Sequence, residues 1–329
     1  MTYLILRRLV STLVTLILLS MVAFIVIELP PGDFADMYAA KKVASGAVVT
    51  EAEVVAIRIE LGLDRPPYIR YLKWISGILH GDPGFSWQYR RPVREVISER
   101  LPMTLILALS TLFFTYIIAI PVGIYSALRQ YSITDYTLGI LGYIGLATPN
   151  FLLALILMYL GHLWFGTSVG GLFSIEYESA AWSFAKFIDF LSHLWVPVIV
   201  LGTAGTAFTF RTIRATLLDE LNKMYVTAAR ASGLSEFRLI MKYPVRMALN
   251  PIVSTFGWEL TRVISGAPIV GLVMSLPDTG PLFINSLLNQ DMYLAGAMIM
   301  IYCVLVMLGS FISDILLMIL DPRIRLGEK

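Results

Sequence analysis

The stretch LVSTLVTLILLSMVAFIVI, residues 9–27, decides how the rest of the chain is read. It carries no charge, and as a helix rising 1.5 Å per residue it reaches about 30 Å, the thickness of a bilayer's hydrocarbon. Arg7 and Arg8 precede it, and Glu28-Leu29-Pro30-Pro31 follow. The run is too long for the core of a secretory signal, and no small-x-small cleavage site precedes Glu28, so a retained first membrane helix is expected. Comparable runs recur at Met103–Leu128, Leu138–Phe165, His193–Phe210, Pro251–Val273 and Leu294–Leu320. The expected fold class is therefore an all-α polytopic membrane protein with six transmembrane helices. Composition agrees: 57% of the 329 residues are hydrophobic and 15% charged, against roughly 25% charged in a soluble domain. A mean hydropathy of +0.75 argues the same way.

Sidedness follows from the short connections, because Lys and Arg are retained on the cytoplasmic side. Residues 211–246 hold Arg211, Arg214, Lys223, Arg230, Arg238, Lys242 and Arg246 against Asp219, Glu220 and Glu236. That segment is expected inside. Residues 166–192, with Glu176, Glu178 and Asp189 against Lys186, and 275–293, with Asp278 and Asp291 and no base, are expected outside. Both termini then fall on the cytoplasmic side, with Arg7-Arg8 at one end and Arg323, Arg325 and Lys329 at the other. Residues 28–101 must be external despite their bases, being longer than the roughly 60 residues over which the rule acts.

The chain thus divides into 1–27, the N-terminus and first helix; 28–102, an extracytoplasmic cap; and 103–329, a five-helix core carrying a cytoplasmic loop at about 211–250. Within the cap, Thr50 and Glu53 form a capping box opening a helix toward Leu61. Gly62 ends it, Arg65-Pro66-Pro67 restarts the chain, and Tyr71, Trp74, Ile75 and Ile78 make an apolar stripe. Gly81-Asp82-Pro83-Gly84 is a turn.

Several chemistries have no residues to support them. No Gly-rich sequence ending in Gly-Lys-Ser/Thr occurs, so ATP binding through a P-loop falls to a partner. His80, His162 and His193 lack the spacing of metal ligands, no nucleophile elbow or zinc-protease helix is visible, and Cys303 in an apolar run reads as a small buried hydrophobe. No catalytic residue, metal site or cofactor is expected in this chain. A formal charge of +2 gives no footing for nucleic acid.

Ionisable groups in membrane spans are functional candidates because charge in hydrocarbon is costly. Glu259 and Arg262, three apart on one helix face, can pair. They read either as a structural ion pair facing the bundle interior or as a contact for a charged substrate. Asp314 lies near the inner end of the last helix.

The loop at about 211–250 is too long and too patterned for a simple connection. Leu217, Leu218, Leu221, Met224, Tyr225 and Ala228 have amphipathic-helix spacing. Ala228, Ala229 and Ala231 narrow its end, Gly233 can supply a left-handed cap, and Ser235 can cap a second helix through Phe237, Ile240 and Met241. Helix, glycine turn, helix makes a knob for a partner's groove; the alternative is an amphipathic helix lying on anionic lipid.

Tyr225-Val226-Thr227-Ala228-Ala229-Arg230-Ala231-Ser232-Gly233-Leu234, followed by Arg246-Met247-Ala248-Leu249-Asn250-Pro251, resembles the coupling loop of ABC-importer permeases. Further segments narrow the resemblance to the first permease of the dipeptide/oligopeptide/nickel branch: Pro31-Gly32-Asp33, Leu61-Gly62-Leu63-Asp64-Arg65-Pro66, Gly81-Asp82 with Gly84 and Ser86, Pro92-Val93, Arg100 through Leu105, Pro277 and Gly280, Asp291, and Asp321 through Arg325. Thr227 stands where the general motif has Glu, and Val245-Arg246 where it has Leu-Pro. Gly271-Leu272 replaces a usual Glu, and the outer turn reads Pro277-Asp278-Thr279-Gly280 instead of Pro-Gly-Leu-Gly.

The resemblance implies the type I ABC-importer permease fold in the plasma (inner) membrane of a bacterium or archaeon. It implies a path formed with a second, homologous permease, two ABC ATPase subunits that bind ATP and Mg, and an extracytoplasmic solute-binding protein. Peptides are the implied cargo, with oligosaccharides or nickel as alternatives in the same class; an ATP-independent secondary transporter or channel is the distant alternative. Tyr225, Ala228, Ala229, Arg230, Gly233 and Leu234 are the implied contacts to the ATPase, and Glu259, Arg262 and Asp291 the candidates for the substrate path. The cap, through Tyr71 or Trp87, is the candidate contact for the solute-binding protein.

Overall fold

The computed structural model describes residues 2–29, 32–60, 62–166 and 170–320. Pro31, Leu61 and the Asp321–Arg325 tail with Lys329 lie outside the described residues. In chain order the elements are α1 (Thr2–Glu28), α2 (Phe34–Ala44), α3 (Glu51–Glu60), α4 (Pro67–Leu79), β1 (Phe85–Ser86), β2 (Arg91–Pro92), α5 (Val93–Leu128), α6 (Ile133–Ala147), α7 (Asn150–Phe165), α8 (Ile175–Glu178), α9 (Phe184–Leu221), α10 (Met224–Ala231), α11 (Glu236–Lys242), α12 (Pro244–Ala248), α13 (Asn250–Ser254), α14 (Phe256–Val273), α15 (Thr279–Leu288) and α16 (Met292–Leu320). Among the described residues the fold is mostly helical, with a single antiparallel hairpin pairing Phe85 with Pro92 and Ser86 with Arg91.

Among the described residues, four helices are long and apolar enough to cross a membrane: Leu9–Glu28, α5, α9 and α16. The expected span Leu138–Phe165 is not one helix. It begins earlier, at Ile133, and breaks between α6 and α7 with a bend of 105°. Pro149 has no N–H to continue the ladder and pushes the preceding residue out of the helical region; Thr148 accordingly sits at φ −84°, ψ 119°. Counted as one bent span, the pair makes five. The expected span Pro251–Val273 is likewise divided at Thr255, between α13 and α14, after Pro244 and Pro251 have each opened a new helical turn.

The chain forms two compact units. The first comprises Met1–Thr104 and Asp278–Leu305, the second Leu105–Pro277 and Val306–Lys329. Residues 278–305, assigned to the core from sequence, therefore group with the cap. Two buried polar links explain it: Asp291 accepts from Ser86 Oγ at 2.6 Å and from the Gln88 amide at 3.2 Å, and Thr104 Oγ1 bonds Thr279 Oγ1 at 3.0 Å while accepting its amide at 2.9 Å.

The first unit closes over Val93, Val96, Ile97, Leu282, Leu294, Ala297 and Met298. The expected Thr50–Glu53 capping box is present in both directions, at 3.1 and 3.3 Å. A second, Asp33–Asp36, opens the unexpected α2. The stripe of α4 faces inward as its spacing predicts: Trp74 is buried on Gly296, where any Cβ would strike the indole, and Tyr71 bonds Ser20 Oγ at 2.8 Å. Gly84, at φ +100°, lies against the Tyr293 ring, where a side chain has neither the backbone freedom nor the space.

The second unit is organised on α9, against which α6, α7, α12 and α14 pack. Small residues make these approaches possible, as expected where lipid supplies no hydrophobic drive between helices. Gly145 of α6 faces Thr203, Gly202 of α9 faces the Phe114 ring, and Gly257 of α14 lies on the backbone of Gly309 and Ser310.

Candidate functional site

The hairpin after α9 begins where the helix stops. Asn222 caps α9, and Lys223, extended at φ −76°, ψ 147°, redirects the chain into α10. The single amphipathic helix expected from Leu217 to Ala228 is thus two helices, and the break changes which residues face inward. Leu217 and Val226 are fully buried with Leu239, Ile240, Val245, Ala248 and Ala127, and Ala229 packs against them. Met224 is 82% exposed, and Tyr225, Ala228, Gly233 and Leu234 also lie on the surface. Met224, Tyr225 and Ala228 therefore belong to the outer face. Of the six residues assigned to partner contact, only Ala229 is turned toward the core.

Gly233 makes the turn at φ +81°. Nothing lies within 4 Å of where its Cβ would be, so conformation alone requires the glycine. Ser235 sits at the cap of α11 without bonding it. The turn is closed instead by Arg230, whose Nε and Nη2 donate to Glu236 at 3.0 and 2.6 Å. Tyr225 donates to Glu220 at 2.5 Å, tying α10 back to the end of α9. Thr216 Oγ1 donates to the Ala248 carbonyl at 3.2 Å, and Arg246 Nε to the Leu320 carbonyl at 3.0 Å. These bonds anchor the hairpin's base to α9 and to the end of α16.

Glu259 and Arg262 do pair. Glu259 is 2% exposed and accepts from Arg262 Nε at 2.9 Å and Nη2 at 2.7 Å. Gly205 of α9 makes room, since a Cβ there would collide with the guanidinium. Tyr116 and Thr206 bury hydroxyls that have no hydrogen-bond partner, so the second unit contains polar groups beyond the pair itself.

Asp291 belongs to the first unit. Buried to 1% exposure, it spends its oxygens on Ser86, Gln88 and the Leu294 amide at 3.3 Å. Burial raises its pKa, and these bonds offset part of the rise. Asp278, in the same unit, caps α15 through the Gly280 amide at 3.1 Å and leaves its other oxygen buried and unpartnered. Burial pushes it up to about 7.

A pair overlooked in the sequence is Asp135–Arg214. Asp135, 4% exposed, receives Arg214 Nε and Nη2, both at 2.7 Å, the Tyr131 amide at 3.0 Å and the Ser126 hydroxyl. Its signal was Ser132, whose hydroxyl accepts the Asp135 amide at 3.2 Å, an N-cap that marks the true start of α6.

Residues 119–326 match the family described as binding-protein-dependent transport system inner membrane component, and residues 1–108 match its N-terminal companion. The chain is 35% identical over 324 residues to the oligopeptide transport system permease protein AppB of Bacillus subtilis, covering 97% of this chain and 98% of that one. It is 31% identical over 337 residues to the dipeptide transport system permease protein DppB of Escherichia coli K12, covering 98% of each. A solved inward-facing MetNI methionine ABC transporter shares the fold with a TM-score of 0.54 at 16% identity, covering 69% of this chain and 96% of that one.

Proposed function

We propose, from the premise that this chain belongs to the family of binding-protein-dependent transport system inner membrane components, that it forms one half of a peptide-conducting path completed by a second, homologous permease. It is a multi-pass permease subunit of an ABC importer with peptide-permease relatives. The remaining parts of the reading are six spans with both termini cytoplasmic, two ATPases docked on the α10–α11 hairpin, and a solute-binding protein delivering peptide at the cap. Closure of the ATPases on ATP would push the hairpin and bias the helices between outward and inward access. Such a bias requires contacts that differ between the two states.

The observation that carries this reading is the division of the hairpin. Val226, Leu239 and Ile240 hold it to the body while Met224, Tyr225, Ala228 and Leu234 stay at the surface. An apolar outer face on a rigidly based knob suits insertion into a groove of a partner.

The test is Gly233→Pro in the assembled complex reconstituted in vesicles. Proline fixes φ near −65° where +81° is needed, so the tip must deform. Peptide uptake is expected to fall at least tenfold while ATP hydrolysis persists. Unchanged uptake would refute the coupling role, and uptake of an oligosaccharide or nickel instead of peptide would refute the cargo.

A further inference from the structure

Beyond its role in transport, the second unit carries a groove between α6 and α9 that the functional reading leaves unused. It has a volume of about 760 Å3 and is lined by Tyr136, Gly139, Ile140, Tyr143, Phe208 and Arg211. No neighbouring side chain fills it at Gly139, where an added Cβ would meet nothing within 4 Å. Its two arginines differ. Arg214 is neutralised by buried Asp135. Arg211 is exposed, lies over the Tyr143 ring at 4.7 Å, and has no carboxylate partner among the described residues.

Arg211 directly follows the apolar run that ends at Phe210, which sets its guanidinium at the boundary of the hydrocarbon, where a lone positive charge is countered most readily by a headgroup. Tyr136 and Tyr143 are of the aromatic type that collects at that level, and Tyr131 extends the same wall. An apolar channel beside an uncompensated cation at a span's end has the form of an amphiphile with one negative charge. Basic pockets between membrane helices are known to take anionic headgroups in this way. We propose that this groove binds one anionic phospholipid, with its phosphate on Arg211 beside Gly139 and Ile140 and an acyl chain running past Phe208 into the hydrocarbon. The inference rests on the placement of α9 across the bilayer and not on the cargo.

The test is native mass spectrometry of the purified complex titrated with phosphatidylglycerol or phosphatidylcholine. Wild type is expected to retain one phosphatidylglycerol per copy of this chain in preference to phosphatidylcholine. Arg211→Gln is expected to weaken retention about fivefold, the worth of one basic side chain near an anionic surface. Gly139→Phe, which fills the groove without touching Arg211, should displace the lipid outright, and Arg94→Gln, an exposed arginine of the other unit, should change nothing. Equal retention of the two lipids, or wild-type retention by both Arg211→Gln and Gly139→Phe, would overturn the proposal. So would a photo-cross-linker at Ile140 that captures a second permease in place of lipid.

Discussion

The cap and the α10–α11 hairpin are both built outside the long apolar helices, yet they are held together by different forces. In the cap, charges close on each other: Arg58 reaches Asp33 at 2.6 Å and Asp36 at 2.7 Å, Arg70 pairs with Glu28, and Arg91 reaches Glu99 at 2.5 Å. In the hairpin one ion pair closes the turn, and the rest is an apolar wedge whose inner face is buried and whose outer face is not. The cap's charge pairs are partly solvated and add to a unit that already closes over its own apolar core of Val93, Leu294 and Met298. A wedge with an apolar outer face has surface to give to a partner, and its shape depends on a handful of buried side chains.

This contrast can be broken most severely at Val226. Val226→Asp places an unpaired charge at a position with no exposure, at a cost of about 3–5 kcal/mol. Loss of the assembled complex on gel filtration is the expected readout. Met224→Asp, two residues away but 82% exposed, should leave thermal stability within about 0.5 kcal/mol of wild type and still abolish coupled uptake. If both variants behave alike, the division into inner and outer faces is wrong.

Asp291→Ala comes next. It leaves the Gln88 and Leu294 amides without their buried acceptor, costing roughly 2–3 kcal/mol. Faster proteolysis or hydrogen exchange confined to residues 84–92 would report it.

Asp278 sharpens the comparison through pH. Its pKa of about 7 in the fold, against 3.8 ordinarily, means the folded state holds a proton that the unfolded chain has released. Its contribution is complete below about pH 4 and is lost as pH rises through 7. Asp278→Asn keeps a cap acceptor without the charge. It should match wild type at pH 3.5 and unfold a few degrees higher at pH 8. The smallest effect is Arg58→Ala in the cap, at most about 1 kcal/mol by thermal unfolding, because its pairs are partly solvated.

Local signals made much of this legible. Thr50 and Glu53 announced α3, Pro67 opened α4, and Gly233 marked the turn. Apolar runs located α1, α5, α9 and α16. The break at Thr148-Pro149 was also written in the chain, but continuous hydrophobicity on both sides hid it, and the same continuity concealed the start of α6 and with it Asp135. Which face of α10 is buried could not be read from spacing: the stop at Asn222–Lys223 turns the later residues, so a stripe continued from Leu217 points the wrong way. Partners distant in sequence, such as Asp135 with Arg214 or Ser86 with Asp291, have no local signature.

The most direct measurement places single cysteines at Ala228 and, separately, at Val226, in a Cys303→Ser background, and treats membranes containing the whole complex with a short thiol cross-linker. Ala228→Cys is expected to join this chain to an ATPase subunit, with a yield that changes when ATP is added, while Val226→Cys does not react. Equal reaction at the two positions, or no ATPase captured from Ala228→Cys in either nucleotide state, would contradict it.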